Sequence, residues 1–347
     1  MPISPPQSGT AGAGANTDWP RLLADVGGTN ARFALESSPG RIGFIDVLAC
    51  AGYPTLAAAL QAYLASPAVA TAGTVRHAAI AIANPVTGDL VRMTNHHWEF
   101  SIAALRQECG FDTLLVDNDF SALARALPYL GDGQKRQVGG GAVRAGSAMG
   151  LLGAGTGLGV SGLVPCGPGW SALRSEGGHV TFAPVDDTEI AILRFAWGRF
   201  EHVSAERLLS GAGLELIYSA LARHTGAPDC ALTAPDITGR ALNGDCALCD
   251  QVIDVFCGML GTVAGNLAVT LGAQGGVYIG GGIVPRLGER FDASPFRRRF
   301  EQKGRFAAYL AEVPTFVVTA DYPAFIGVSA MLGEKLATEL ATPAPAC

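Results

Sequence analysis

The chain has 347 residues, more than the roughly 250–300 at which a single hydrophobic core usually stops growing, so two domains around a cleft are expected. Apolar residues make up 49% of the chain and charged residues 16%, which excludes disorder of the chain as a whole. The net charge of −6 offers no basic surface for nucleic acid, so a phosphorylated ligand must be held by backbone N–H groups, a metal ion or single cations.

The ends of the chain resemble neither a signal peptide nor a membrane anchor. Residues 1–17 combine Pro, Gly, Ser and Ala without a charged or apolar segment, which is typical of a flexible leader. We predict a leader over 1–19 and a tail over 342–347. No uninterrupted apolar stretch reaches the ~20 residues of a membrane span. The sequence therefore predicts a cytoplasmic protein with no membrane or nucleic-acid partner.

The cysteines indicate a reducing environment. Eight cysteines in this length are too few for a disulfide scaffold. Cys246 and Cys249 form a single Cys-x-x-Cys, and the sequence has no second pair that would complete a zinc site. We interpret them as ordinary reduced thiols, while a metal or redox role stays open.

The pattern of apolar residues in the N-terminal third predicts a mixed α/β unit. Two mostly apolar runs, Arg21–Ala24 and Arg32–Leu35, flank a Gly-Gly turn and predict a β-hairpin. Further strands are predicted over His77–Ala83 and Thr113–Val116, and helices over Tyr53–Leu64 and Ile102–Glu108.

A second glycine-centred hairpin follows, with strands over Met149–Leu152 and Val160–Val164. Its likeness to the first hairpin suggests a duplicated α/β domain, with coincidence among glycine-rich turns as the alternative. The later elements are predicted as helices over Ser204–His224, Cys249–Thr270 and Ile326–Leu340 and as strands over Val277–Ile279 and Phe316–Thr319.

The two glycine-rich turns, Asp25–Asn30 and Gly153–Gly159, are predicted to bind phosphate. Glycine lets successive backbone N–H groups form a concave anion site, and Thr29 and Thr156 add hydroxyls. Neither turn matches the P-loop or dinucleotide patterns. Asp25 has two interpretations: it binds Mg²⁺, through water, or it caps the turn by accepting a backbone N–H.

The sequence Val-Asp-Asn-Asp-Phe places Asp119 just after a predicted strand, where α/β folds carry catalytic side chains. Phosphoryl transfer to an alcohol needs a carboxylate that accepts the hydroxyl proton, and Asn118 could hold the same substrate. The alternative is an Asx turn that caps a helix over Ser121–Leu127.

Three further polar side chains are candidates for binding hydroxyl groups. Glu176 and His179 lie in Ser-Glu-Gly-Gly-His, which is alternatively a polar loop with an incidental histidine. Glu206 follows Ser204, a good helix N-cap, so it is alternatively a favourable charge in a first helical turn.

Seven motifs in order then resemble one family. They are Asp-Val-Gly-Gly-Thr-Asn-Ala-Arg at 25–32, Met-Thr-Asn-His at 93–96, Asn-Asp-Phe at 118–120, Gly-Ala-Gly-Thr-Gly-Leu-Gly at 153–159, Glu-Gly-Gly-His-Val at 176–180, His-Val-Ser-Ala-Glu-Arg at 202–207 and Gly-Gly-Gly-Ile-Val-Pro-Arg at 280–286. Over about 22–340 the chain resembles the bacterial glucokinases of the hexokinase type, within the actin-like sugar-kinase superfamily. Ala24 and Ser175 stand where that family often has glycine. The repressor-like branch carries a cysteine-rich zinc motif, and this sequence contains no such motif.

The resemblance implies a fold class of α/β with two actin-like (ribonuclease H-like) domains and a ligand cleft between them. We predict a small domain over 20–129 with 320–341 and a large one over 130–319. The implied reaction is phosphorylation of glucose at its 6-hydroxyl by ATP, the first step of glycolysis, by a homodimer. A kinase for another hexose, and an actin-like ATPase or sugar-sensing regulator without turnover, are the alternatives.

The resemblance also implies the site residues. Asp119 would be the base, and Asn118, Glu176, His179 and Glu206 would bind the other hydroxyls of glucose. The ATP phosphates would contact two loops, made of Ala24, Asp25, Val26, Gly27, Gly28, Thr29 and Asn30 and of Gly153, Gly155, Thr156 and Gly157. Gly280, Gly281 and Gly282 would lie near the adenosine, and Asp25 would bind Mg²⁺.

Overall fold

The protein is described by a computed structural model that covers residues 18–341. The predicted tail, and all but the last two residues of the predicted leader, lie outside that range. The described residues pack into two compact units, one made of 18–117 with 331–341 and the other of 118–330. The domain boundaries given above stay a prediction, and each unit is described by itself.

The first unit is built on a sheet in the order β3-β2-β1-β4-β7. Its strands are β1 (Arg21–Val26), β2 (Asn30–Glu36), β3 (Ile42–Ala49), β4 (His77–Ile82) and β7 (Thr113–Asn118), with a small ribbon of β5 (Leu90–Arg92) and β6 (Glu99–Ser101). Its helices are α1 (Leu56–Leu64), α2 (Pro67–Ala70) and α3 (Ile102–Glu108). The predicted hairpin and strands are therefore present.

Capping side chains define where the helices of this unit begin. Thr55 is the N-cap of α1, and its side chain accepts a hydrogen bond from the backbone N–H of Ala58 at 3.1 Å. The helix therefore begins at Leu56 and not at the predicted Tyr53. Ser101 caps α3 in the same way, with Ala104 as the donor at 3.1 Å, and α3 has its predicted bounds.

The second unit is built on a sheet in the order β11-β10-β9-β12-β13-β8. Its strands are β8 (Lys135–Val138), β9 (Met149–Ala154), β10 (Leu158–Cys166), β11 (Gly169–Ala172), β12 (Val277–Gly280) and β13 (Thr315–Val318). Its helices are α4 (Asp119–Ala126), α5 (Asp187–Trp197), α6 (Ala205–Leu208), α7 (Gly211–Thr225), α8 (Ala234–Leu242), α9 (Ala247–Leu271), α10 (Val284–Leu287), α11 (Glu289–Asp292), α12 (Phe296–Glu301) and α13 (Ala307–Ala311). The last helix, α14 (Pro323–Ala341), contains the unit boundary at residue 330.

The two sheets repeat one topology. In the first unit β1 pairs antiparallel with β2 and parallel with β4, and β2 pairs antiparallel with β3. In the second unit β9 pairs antiparallel with β10 and parallel with β12, and β10 pairs antiparallel with β11. A glycine turn joins β1 to β2 in the first sheet and β9 to β10 in the second. This shared pairing favours the duplicated domain over a coincidence of glycine-rich turns.

The helix predicted over Ser204–His224 is two helices in the structure, so that prediction was wrong. The short α6 ends at Leu208, and Ser210 starts α7 as its N-cap by accepting a hydrogen bond from the N–H of Gly213 at 3.1 Å. Serine side chains compete for backbone hydrogen bonds, and the competition favours a cap at this position over a helix interior.

The long apolar helix α9 belongs to the core of the second unit. It packs along α12 at its small residues: a Cβ added to Gly261 would lie 2.3 Å from the carbonyl oxygen of Phe296. By length and composition this helix would also pass as a membrane span, with a mean hydropathy of 1.7. However, 67% of its most apolar stretch is buried inside the protein, as in a core helix of a soluble fold.

Candidate active site

The first glycine-rich loop is a tight turn between β1 and β2. The backbone N–H of Gly27 donates to the carbonyl of Asn30 at 3.0 Å, and Val26 pairs with Ala31. Cys50, which follows β3, also contacts the turn: its backbone N–H donates to the carbonyl of Thr29 at 2.9 Å. Backbone hydrogen bonds from two sides thereby fix the turn, and Thr29 is exposed.

Asp25 has a partner that the sequence reasoning missed. The hairpin register places it opposite Arg32, whose Nη1 donates to its Oδ2 at 3.0 Å. Burial raises the pKa of the Asp25 carboxyl, and the Arg32 guanidinium opposes that rise. Arg32 lies in the motif at 25–32. Pairing the two predicted strands across a three-residue turn would have placed it opposite Asp25.

The second glycine-rich loop is the turn between β9 and β10. Gly155 donates its N–H to the carbonyl of Gly157 at 2.8 Å, and the carbonyl of Gly155 accepts from the N–H of Gly211 at the start of α7. Phe120 packs its ring against Gly153 and Gly159, where added Cβ atoms would approach it within 2.5 and 2.2 Å. The loop therefore rests on α7 and α4.

The three glycines at 280–282 lie directly beside that loop. Parallel pairing of β9 and β12 sets Gly280 opposite Gly153, and Ile283 donates its N–H to the carbonyl of Ala154 at 3.1 Å. The structure thus brings together two segments that the sequence separates by more than a hundred residues.

Asn118 and Asp119 stand at the start of α4. Asn118 is the N-cap, and its side-chain oxygen accepts from the N–H groups of Phe120 at 3.0 Å and Ser121 at 3.2 Å. The side-chain amide of Asn118 also donates to Oδ1 of Asp119 at 2.9 Å. Helix α4 therefore begins two residues before the predicted Ser121, and its cap orients the Asp119 carboxyl.

Glu206 connects the second loop to the other predicted hydroxyl-binding residues. Its Oε2 accepts from the N–H of Leu158 at 2.9 Å, next to the loop. Its Oε1 lies 4.0 Å from Nδ1 of His179, and Nε2 of His179 lies 4.0 Å from a carboxylate oxygen of Glu176. The three side chains form a row in the second unit, which we call the polar row.

Backbone pairing holds the polar row together. The segment after His179 pairs with the segment before Glu206: Ala205 donates to the carbonyl of Val180 at 2.9 Å, and Phe182 donates to that of Val203 at 3.0 Å. Gly178 fits against β10 because it lacks a side chain, since an added Cβ would lie 2.1 Å from the carbonyl oxygen of Leu158.

A groove of about 460 Å³ opens in the second unit beside Thr156 and Glu206. Its remaining lining is Arg199, Phe200, Arg207, Ser210, Ala212, Glu215, Leu216, Ser219, Ala231, Leu232 and Thr233. A larger groove of about 890 Å³ lies between α5 and α7, and none of the predicted site residues lines it. Of the two grooves, only the smaller one borders predicted site residues, namely Thr156 and Glu206.

A magnesium ion fits the donors at the first loop only when the phosphates of a bound nucleotide supply further ligands. Within residues 18–341, no group of three or more His, Cys, Asp or Glu could hold a metal ion. Asp25 offers a single carboxylate, already bonded to Arg32. Mg²⁺ commonly takes one or two carboxylates with phosphate oxygens and water, which matches that donor set.

These motifs have a counterpart among known proteins. A family model described as Glucokinase matches residues 22–335. The chain belongs to the glucokinase family. The resemblance inferred from the motifs is thereby confirmed.

Curated relatives in the glucokinase family are of two lengths. The "Bifunctional protein glk" of Paraburkholderia xenovorans (strain LB400) is 59% identical over 326 residues, which are 94% of this chain and 50% of that protein. The "Glucokinase" of Chromobacterium violaceum is 56% identical over 327 residues, covering 94% of this chain and 93% of that protein. The chain spans about half the length of the bifunctional relatives and nearly the whole of the shorter one.

Solved structures of glucokinases show the same fold. A glucokinase from an Antarctic psychrotroph is 37% identical with a TM-score of 0.84, over 91% of this chain and 99% of that chain. A ROK family glucokinase from Streptomyces griseus, in complex with glucose and AMPPNP, is 18% identical with a TM-score of 0.61, over 91% and 99%. The predicted fold class, α/β of the actin-like sugar-kinase type, is confirmed; the ligand cleft stays a prediction.

Proposed function

We propose that this protein transfers the γ-phosphoryl group of ATP to the 6-hydroxyl of glucose, giving glucose 6-phosphate and ADP. Membership of the glucokinase family supports the reaction class. Relatives of similar length carry the name glucokinase, and a solved structure of the same fold binds glucose and an ATP analogue. We further propose a cytoplasmic homodimer.

The observation that carries this proposal is the position of Glu206. One of its carboxylate oxygens accepts from Leu158 next to a glycine-rich loop, and the other lies beside His179 in the polar row. A loop suited to phosphate and a row suited to sugar hydroxyls thus share one side chain in a single unit. A kinase needs this combination, because donor and acceptor must be held next to each other.

In the proposed mechanism Asp119 accepts the proton of the 6-hydroxyl as the oxygen attacks the γ-phosphorus. Asn118 orients that carboxyl through its 2.9 Å hydrogen bond and offers polar atoms to the sugar. Glu176, His179 and Glu206 bind the remaining hydroxyls. A sugar that lacks or inverts one hydroxyl leaves unpaired a polar group that sugar binding buries, at about 1–3 kcal/mol for each such group.

The phosphates are proposed to bind the loops at Gly27 to Asn30 and at Gly153 to Gly157. The N–H groups of Gly27 and Gly155 already donate within these turns, so the other backbone N–H groups of the loops would bind the phosphates. When bound with ATP, Mg²⁺ supplies positive charge that offsets the charge of the phosphate oxygens. Asp25 would hold it, through water, and Arg32 holds the Asp25 carboxylate in place at 3.0 Å. Gly280 to Gly282, next to the second loop, are proposed to border the adenosine.

A panel of sugars and phosphoryl donors tests the proposal. Release of ADP is followed with glucose, mannose, fructose, N-acetylglucosamine and no sugar, each with ATP and with GTP and polyphosphate as alternative donors. We expect the highest kcat/KM with glucose and ATP and little ATP hydrolysis without sugar. A preference for another hexose would reassign the substrate, and no sugar-dependent ADP release with any hexose would favour a regulator without turnover.

The proposed homodimer is tested separately by light scattering of the purified chain across a range of concentrations. A mass of one chain at all concentrations would contradict it, with no bearing on the proposed reaction.

A further inference from the structure

The two cysteines of the Cys-x-x-Cys motif meet at the start of the longest helix of the second unit. Cys246 is the N-cap of α9, and its Sγ accepts a hydrogen bond from the backbone N–H of Cys249 at 3.4 Å. Ser, Thr, Asp and Asn are the usual residues at this position, and here a sulfur takes their place. The two residues are three apart at a helix start, a spacing compatible with a disulfide.

The two thiols differ in how solvent reaches them. Cys246 is partly exposed, between the exposed residues Asp245 and Ala247. Cys249 is fully buried in the apolar core. In a dithiol exchange site the accessible thiol attacks the incoming disulfide and the buried thiol then resolves the mixed disulfide, and these two cysteines have that arrangement.

The surroundings favour the thiolate at the accessible position. The backbone N–H of Cys249 and the side chain of Cys249 lower the pKa of Cys246, and Arg240 contributes in the same direction. Burial raises the pKa of Cys249, and so does the neighbouring Cys246 sulfur. The partial positive charge at the start of a 25-residue helix acts on the same sulfur.

We propose that Cys246 and Cys249 form a reversible dithiol–disulfide site that exchanges with small disulfides such as oxidised glutathione. The Cys246 thiolate attacks one sulfur of oxidised glutathione, which forms a mixed disulfide and releases one glutathione thiolate. Cys249 then attacks the Cys246 sulfur, the bond from Cys246 to glutathione breaks, and the Cys249 proton passes to the departing second glutathione thiolate. The protein gives up two electrons and two protons, and one oxidised glutathione becomes two reduced glutathiones.

The second step is assisted by the first. In the mixed disulfide the Cys246 sulfur carries no charge, so one cause of the raised pKa of Cys249 disappears. The ring closed by the new bond contains only two intervening residues, so it removes little chain entropy from the unfolded state. The disulfide should therefore be readily reduced, as an exchange site requires.

The test uses the full chain in buffers of defined reduced-to-oxidised glutathione ratio. Samples are quenched with acid, alkylated, and analysed by peptide mass spectrometry. In the wild type we expect the Cys246–Cys249 peptide to lose both of its alkylatable thiols at a lower proportion of oxidised glutathione than the exposed Cys166 loses its own. Reduced glutathione should restore them.

Variants separate exchange from general thiol oxidation. Cys249→Ser should stop at a mixed disulfide on Cys246, and Cys249→Ala serves the same purpose if serine disturbs the core. Cys166→Ser, at an exposed cysteine on β10, should leave the Cys246–Cys249 loss unchanged. Circular dichroism checks that each variant is folded.

Two results would overturn the proposal. One is a Cys246 that stays reduced under conditions in which the exposed Cys166 is already glutathionylated. The other is a disulfide from Cys246 to Cys230, an exposed cysteine that lies near Cys249, in place of the predicted bond.

Discussion

At the scale of residues, neighbouring side chains in this site carry different tasks. The side-chain oxygen of Asn118 caps α4, and its amide group donates a hydrogen bond to the Asp119 carboxyl. The helix cap that was the alternative interpretation of this segment is therefore made by Asn118. Asn118 also orients the Asp119 carboxyl, which supports the proposed role of Asp119. Asp25 likewise has a partner, Arg32, that limits how its carboxylate can turn.

Replacing Asp119 with asparagine should lower kcat by about 10²–10⁴-fold, because an amide cannot accept the hydroxyl proton. Glucose affinity, measured by isothermal titration, should stay within a few-fold. Asp187→Asn is the matched control, since Asp187 is also the first residue of a helix, α5. Wild-type kcat in Asp119→Asn would contradict the assignment of the base.

Asp25→Asn should gain stability relative to the wild type as the pH rises. Burial raises the folded-state pKa of Asp25 above 3.8, so the folded protein binds this proton more tightly than the unfolded chain. The wild type therefore loses stability as pH rises from the unfolded pKa through the folded one, while asparagine does not titrate. Urea unfolding at a series of pH values measures the difference.

Asp236→Asn is the control of opposite sign. Hydrogen bonds from the side chain and backbone of Thr233 lower the pKa of Asp236 below 3.8. Its carboxylate adds stability above 3.8 that is lost as pH falls through the lowered pKa, so Asp236→Asn should lose stability relative to the wild type as pH rises. Parallel pH curves for the two variants would refute the account.

At the scale of elements, close backbone contacts and buried charges hold the site in place. The turn that carries His179 fits on β10 only through Gly178. Elsewhere in the second unit, Arg299 of α12 donates to Glu189 of α5 at 2.7 Å and to Thr262 of α9 at 2.8 Å. Three helices of the second unit are thereby joined by one buried guanidinium.

Gly178→Ala should destabilise the protein by about 1–3 kcal/mol and raise the KM for glucose, because the new methyl group displaces the turn that carries Glu176 and His179. Gly239→Ala is the control: this glycine lies inside α8 with no atom within 4 Å of an added Cβ, and alanine there should stabilise by about 0.5–1 kcal/mol. Thermal unfolding and glucose kinetics measure both. An unchanged KM in Gly178→Ala would argue against the polar row as the sugar site.

Glu189→Ala should cost about 3 kcal/mol, because it removes the nearer and fully buried carboxylate from Arg299 and leaves only the more exposed Asp186, at 3.5 Å, as its ion-pair partner. Glu189 is 2% exposed and Arg299 is 8% exposed. Glu339→Ala removes the exposed pair of Glu339 with Lys335 and should cost little. Urea midpoints at constant m-value compare the two, and equal losses would contradict the importance of burial.

At the scale of the whole molecule, the two units share one sheet topology but contribute differently to the proposed chemistry. All five residues proposed to bind glucose, Asn118, Asp119, Glu176, His179 and Glu206, belong to the unit of residues 118–330. The loop at Asp25–Asn30 belongs to the other unit.

Saturating glucose should therefore slow amide hydrogen exchange mainly in the second unit, over Glu176–Arg207 and the β9–β10 turn. Binding stabilises the residues that it orders, by RT ln(1 + [L]/Kd) for the unit as a whole. Hydrogen exchange with peptide-level mass spectrometry measures this, with a sugar that is not a substrate as the control. Equal protection of β2 and β3 without nucleotide would contradict the assignment of glucose to the second unit.

The sequence by itself determined the family and the central strands and longer helices, but not β3, β5, β6, β8 or β11 nor most of the short helices. The apolar runs around Gly-Gly, the β-branched and apolar strands and the long helix all follow from local pattern, and the motifs name the glucokinase family because their order leaves little room for chance. The prediction of one helix over Ser204–His224 was wrong, because Ser210 caps a new helix there and its capping competes with helical periodicity.

Only the tertiary structure decided which distant residues meet. The partnership of Asp25 with Arg32 depends on hairpin register, and the contact of Glu206 with Leu158 joins segments 48 residues apart. The glycines at 280–282 reach the Gly153 loop through parallel strand pairing. Such contacts depend on register and sheet order, which the hydrophobic pattern of a single segment does not encode.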